Sequence, residues 1–134
     1  MAGVFTVLDH RADARIRAEG RDFSDTLRAL SLGMWSLMVD VEAVPDRRRW
    51  QISVTGNDGE EIVVKILNEQ LYRLSADGLV VRDMCVTLIG PGSVLAKCRG
   101  ATVQDGVEVL REVKAATYND ILITSTLMEV TFDL

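Results

Sequence analysis

Three aspartates stand where chemistry could be done. Asp9 and Asp13 bracket the polar corner Asp9-His10-Arg11-Ala12-Asp13, and Asp133 precedes the last residue of the sequence. Carboxylates are hard oxygen donors, and hard cations such as Ca²⁺ or Mg²⁺ take several oxygens, some of them charged. Leu134 follows Asp133, so its main-chain carboxylate and carbonyl add oxygens to the same place. Two or three anions crowded together need a cation, a proton or separation. A plainer reading stands beside this one: Asp favours turns, where its side chain bonds the local backbone.

Other chemistries find little support. The chain has one histidine, His10, and no nucleophile elbow, P-loop or GxGxxG motif. Cys85 and Cys98 flank the turn signal Gly90-Pro91-Gly92-Ser93. A two-residue turn at Pro91-Gly92 pairs position 90 with 93, and by symmetry 85 with 98. That register puts both thiols on one sheet face. A disulfide is then conceivable, but two small core hydrophobes are the expected role. Neither cysteine sits in a CxxC motif or beside His10, so zinc and thiol catalysis are not indicated.

These aspartates need elements to hold them. Residues 3–8 and 14–19 read as two short strands on either side of the corner. A helix follows Asp22 or Ser24, with Phe23, Leu27, Leu30, Met34, Leu37, Met38 and Val41 at helical spacing. Residues 50–55 alternate as a strand. Asp58 and Glu61 have the spacing of a capping box, and Ile62, Val63, Ile66, Leu67, Leu71 and Leu74 form an apolar stripe that Asp77-Gly78 ends. Residues 79–89 and 94–99 read as a hairpin, and 107–115 as a further strand. Thr117-Tyr118-Asn119-Asp120 reads as a turn before a last strand, Leu127 to Leu134. Its apolar face, Met128, Val130 and Phe132, runs nearly to Leu134, so that end is expected to be tied down. If the C-terminal strand pairs with the first, Asp133 comes to the Asp9–Asp13 corner. Helices in the first half and strands in the second predict α+β: two helices packed on a mostly antiparallel β-sheet.

Composition sets the frame. The 134 residues suit a single domain, 1–134, and 48% are hydrophobic, enough for a real core. Fifteen basic against 20 acidic residues give a net charge of −5. Nucleic-acid binders usually carry a basic face. Here only Arg47-Arg48-Arg49-Trp50 is a candidate, and it reads as a solvated loop beside a strand. No direct specific nucleic-acid binding is expected. No apolar run reaches the ~20 residues of a membrane span, and no signal peptide is evident, so a cytoplasmic protein without a membrane partner is expected.

Four segments together resemble one family. Asp9-His10-Arg11-Ala12-Asp13 is similar to an Asp-His-Thr-Ala-Asp signature. Leu67-Asn68-Glu69-Gln70-Leu71-Tyr72 resembles a Leu-Asn-Glu-Leu-Leu helix motif. Glu112-Val113-Lys114-Ala115-Ala116-Thr117-Tyr118 resembles a Glu-Val-Lys-Ala-Val-Thr-Tyr-His strand, and Thr131-Phe132-Asp133-Leu134 resembles a Phe-Asp-Val/Leu/Ile terminus. That set, in that order, is the archease pattern. The resemblance implies an archease-like two-layer α+β domain that is not itself an enzyme. It implies a helper of an RtcB-type RNA ligase in tRNA splicing and RNA repair, promoting guanylylation of the ligase and its multiple turnover. It also implies a calcium-type site whose ligands are Asp13, Asp133 and Leu134, with Asp9 and His10 in support. Arg11 stands where the family has Thr, and Asn119 where it has His after the tyrosine. Rival readings are a metal-dependent phosphoester hydrolase and a purely structural metal-binding module.

Overall fold

The computed structural model describes residues 2–9 and 12–134. Among the described residues seven strands and two long helices follow in the order β1 (Val4–Asp9), β2 (Asp13–Glu19), α1 (Phe23–Met38), β3 (Arg48–Thr55), α2 (Gly59–Asp77), β4 (Leu79–Gly90), β5 (Ser93–Thr102), β6 (Ala115–Ile123) and β7 (Leu127–Asp133). The expected α+β class holds. The strands divide into two antiparallel sheets, in the orders β1-β2-β7-β6 and β3-β5-β4. Both helices touch both sheets, so one core serves all of them.

The helices start and stop where local chemistry dictates. Asp22 caps α1 by accepting from the Asp25 N–H at 2.8 Å, and Asp58 caps α2 by accepting from the Glu61 N–H at 2.8 Å. Glu61 reaches back to the Asn57 N–H at 3.1 Å, one residue before the cap. Gly78 ends α2 in the left-handed region at φ 71°, where a side chain would be strained. Between the helices, Trp35 Nε1 donates to Gln70 Oε1 at 2.7 Å, and Gln70 Nε2 donates to Ser31 Oγ at 3.1 Å. Both polar partners are buried, so each satisfies a group that would otherwise destabilise the core. Gly33 lets α1 lie close on the four-stranded sheet, because a Cβ there would meet Ile16 at 2.7 Å and Phe5 at 2.9 Å.

Several expectations need correction. Residues 107–114 do not form a strand; β6 begins at Ala115. Their alternating valines mimic a strand, but within them Leu110 donates its N–H to Met38 O rather than to a strand ladder. Residues 117–120 do not separate two strands either. β6 runs through them with a register break between Thr117 and Leu122, and Asp120 sits at φ 53°. Finally, the β4–β5 hairpin pairs Gly90 with Ser93 as expected, but a bulge between Leu88 and Gly90 shifts the pairs from Leu88 to Asp83 by one residue. Cys98 therefore faces Met84, and Cys85 faces Lys97. A one-residue slip moves side chains to the opposite face: Cys98 is buried and Cys85 exposed. Burial pushes the Cys98 thiol up to about 12, slightly countered by Arg73.

Candidate functional site

β2 is the hub of the site. It pairs with β1 on one side and with β7 on the other. The C-terminal strand thus joins the second strand, not the first. Its register puts Asp13 directly opposite Asp133, Arg15 opposite Thr131 and Arg17 opposite Glu129. Ala14, Ile16 and Ala18 alternate with these residues and are buried, as are Phe132, Val130 and Met128 opposite them. The apolar pattern that fills the core therefore sends Asp13 and Asp133 together to the other sheet face.

Directly opposed residues on an antiparallel pair have Cβ atoms about 4.5–5.5 Å apart, and like charges there repel. Arg15 lies next along the same face, but it is committed elsewhere. Its guanidinium donates to Thr131 Oγ1 at 2.8 Å and to the Asp120 carbonyl, and pairs with Glu129 Oε1 at 3.4 Å. Arg17 also approaches Glu129, at 3.6 Å. Among the described residues no side-chain hydrogen bond or ion pair is made to the Asp133 carboxylate. Leu134 is half-buried and packs against the core, so the residue beside Asp133 is tied down.

The third strand fixes the other flank. Ala115 of β6 is also in register with Asp133, and the Lys114 N–H donates to the Asp133 carbonyl at 2.8 Å. Asn68 of α2 clasps the next residue with both ends of its amide: Ala116 N–H donates to Oδ1 at 2.8 Å, and Nδ2 donates to Ala116 O at 3.2 Å. Thr117 Oγ1 donates to the Thr131 carbonyl at 2.9 Å. A cavity of about 640 Å³ opens beside this flank, lined by Leu71, Tyr72, Val109, Arg111, Lys114 and Ala115 among others.

Of the sequence-based candidates, Asp13 and Asp133 are brought into register, and Leu134 follows Asp133 just past the end of β7. Asp9 closes β1 in register with Ala14. His10 lies outside the described residues. Two contributors were missed by reading the sequence. Asn68 interrupts the apolar stripe of α2 with an amide, which was the available signal. Arg15 looked like an ordinary exposed position of an alternating strand. The arginine run behaves as a charged surface: Arg48 pairs with Asp105 at 3.1 Å, and Arg49 with Asp46. Both lie within β3 rather than in a loop.

The residues present suit a hard cation. Two opposed carboxylates and the main-chain oxygens of Leu134 are the donor types such an ion takes. Among the described residues no cluster of three or more His, Cys, Asp and Glu gathers to hold a metal. Among them, too, no helix is long and apolar enough to cross a membrane.

The fold is shared with a known structure. The solution structure of Methanobacterium thermoautotrophicum protein 1598 superposes with a TM-score of 0.76, covering 97% of this chain and 98% of that one, at 23% identity. Protein archease of Thermococcus gammatolerans is 31% identical over 119 residues, 86% of this chain and 84% of its own length. Protein archease of Methanosarcina barkeri is 28% identical over 127 residues, 91% of this chain and 87% of its own length. The model of the Archease protein family (MTH1598/TM1083) matches residues 5–134, and the chain belongs to that family.

Proposed function

We propose that this chain is a non-enzymatic accessory protein of an RtcB-type RNA ligase, acting in tRNA splicing and RNA repair. It promotes guanylylation of the ligase and its multiple turnover. A divalent cation, Ca²⁺ or another hard ion, is held by Asp13, Asp133 and the main-chain oxygens of Leu134. The observation that carries this reading is the direct pairing of Asp13 with Asp133 across β2 and β7. Family membership supports the rest.

The bound cation would supply positive charge that carboxylates and phosphate oxygens can share. The chain's own residues do the positioning. β2 and β7 hold the two carboxylates in register. The Asn68 clasp and the Lys114–Asp133 hydrogen bond fix the flanking strand. Half-buried Leu134 anchors the chain beside Asp133. The groove along Leu71, Tyr72 and Lys114 offers adjoining surface for the ligase.

The test is a titration of the protein into a purified RtcB-type ligase with GTP, RNA and a divalent cation. Guanylylation and product formed beyond one turnover are expected to rise with the added protein, and to rise much less with Asp133→Asn. No stimulation by the native protein would remove the reading. Hydrolysis of nucleotide or RNA by this chain alone would favour a metal-dependent hydrolase instead.

A further inference from the structure

We propose that the open edge of β1 is a dimerisation surface that pairs antiparallel with β1 of a second copy, joining the two four-stranded sheets into one. This inference is independent of the acidic site and of the ligase reading.

An edge strand presents a row of backbone N–H and C=O groups to any strand that can reach it, and proteins usually guard such edges. The two sheets have four edges: β1 and β6 in one, β3 and β4 in the other. Three of them are guarded. β3 carries Arg48 and Arg49, each held in an ion pair. β4 is broken by register shifts at Val81/Asp83 and Leu88/Gly90. β6 is broken between Thr117 and Leu122, with Asp120 in the left-handed region.

β1 has none of these devices. It pairs with β2 without a shift from Val4 to Asp9. Residues 4–8, Val-Phe-Thr-Val-Leu, contain no charge and no proline, and three of the five are β-branched. Such short, uncharged, strand-favouring segments are the ones that recruit another strand. Val4, Phe5 and Val7 stay 60%, 37% and 40% exposed, on both faces of the strand.

The occupant that fits is a copy of the same strand. A two-fold axis through Thr6 places Val4 opposite the partner's Leu8 and Phe5 opposite the partner's Val7. Each sheet face then gains an apolar cross-strand pair, of the aromatic–β-branched and aliphatic kinds that stabilise sheets. Asp9 falls opposite the partner's Gly3, so the register sets no charge against another charge. A closed two-fold contact of this kind uses the edge completely and stops at two copies.

Sedimentation equilibrium of the native protein over a wide concentration range is the first test, and a monomer–dimer equilibrium is expected. Val4→Lys places a charge on an exposed position of the edge and is expected to shift that equilibrium to monomer, with an unchanged far-ultraviolet circular dichroism spectrum as the control for folding. In a Cys85→Ser background, Thr6→Cys should form an intermolecular disulfide through the symmetric position, readily seen as a doubled mass without reductant. A native protein that remains monomeric to its solubility limit overturns the proposal. So does a dimer that survives Val4→Lys and does not cross-link through Thr6→Cys.

Discussion

Asp13 and Asp133, 120 positions apart in the chain, stand directly opposite each other on neighbouring antiparallel strands. The apolar residues next to each, Ala14 and Phe132, are themselves paired and buried. The core therefore fixes the acidic pair: neither carboxylate can swing to the other face without exposing that apolar pair. Two carboxylates in this position face each other, and a bound cation would turn that geometry into an attraction.

That relationship predicts different effects with and without metal. In chelator, Asp133→Asn should change stability by no more than about 1 kcal/mol, the scale of a cross-strand pair. In excess Ca²⁺ the native protein should be the more stable, since a ligand at 100 times its dissociation constant stabilises the native state by about 2.7 kcal/mol. Thermal melts of both proteins in the two buffers check this.

Asn68 should matter to the site without touching it. Asn68→Ala leaves both the N–H and the carbonyl of Ala116 without their amide partner. Unsatisfied polar groups of this kind cost about 1–3 kcal/mol. The variant should also show faster amide hydrogen exchange at Ala116 and its neighbours, which exchange mass spectrometry resolves by peptide.

Gln70 joins the helices at the centre of the core. Gln70→Leu deprives Trp35 Nε1 of its acceptor in a fully buried setting, at an expected cost of about 1–3 kcal/mol. Urea unfolding followed by tryptophan fluorescence measures it. Gln70→Glu keeps an acceptor but buries a charge, and should be no better tolerated.

Acid sensitivity should trace to Asp105. The Arg48 guanidinium, then the Thr102 N–H, hold its carboxyl down at about 2, against an ordinary value of 3.8. A depressed folded value means that the unfolded chain takes up protons first. The stabilisation is therefore complete above an ordinary carboxylate pKa and disappears as pH falls from about 4 to about 2. Asp105→Asn should flatten that part of the stability–pH curve, measured from urea midpoints at a series of pH values.

Much of this was legible in the residues because it is local. Asp22, Asp58 and Gly78 mark helix ends by their own chemistry, and the period of Ile62 to Leu74 gives α2 directly. The alternation of Ala14, Ile16 and Ala18 gives β2 and the face that carries Asp13. What was not legible is non-local. Nothing in the sequence says that β7 joins β2 rather than β1, because either pairing buries Met128, Val130 and Phe132. The bulge at Leu88/Gly90 was invisible for the same reason: one extra residue leaves the composition of β4 unchanged, yet it separates Cys85 from Cys98. Residues 107–115 alternate as a strand does, but the loop packs against the end of α1 through Leu110. The archease resemblance pointed to Asp13, Asp133 and Leu134; the register shows that the first two face each other across β2 and β7.

The most direct measurement of the central claim is calorimetric titration of Ca²⁺ into metal-free protein, native and with Asp13→Asn or Asp133→Asn. The account predicts a single binding event per chain in the native protein and its loss in either variant, with folding retained. An absence of Ca²⁺, Mg²⁺ and Mn²⁺ binding by the native protein, or binding unchanged in both variants, would contradict it.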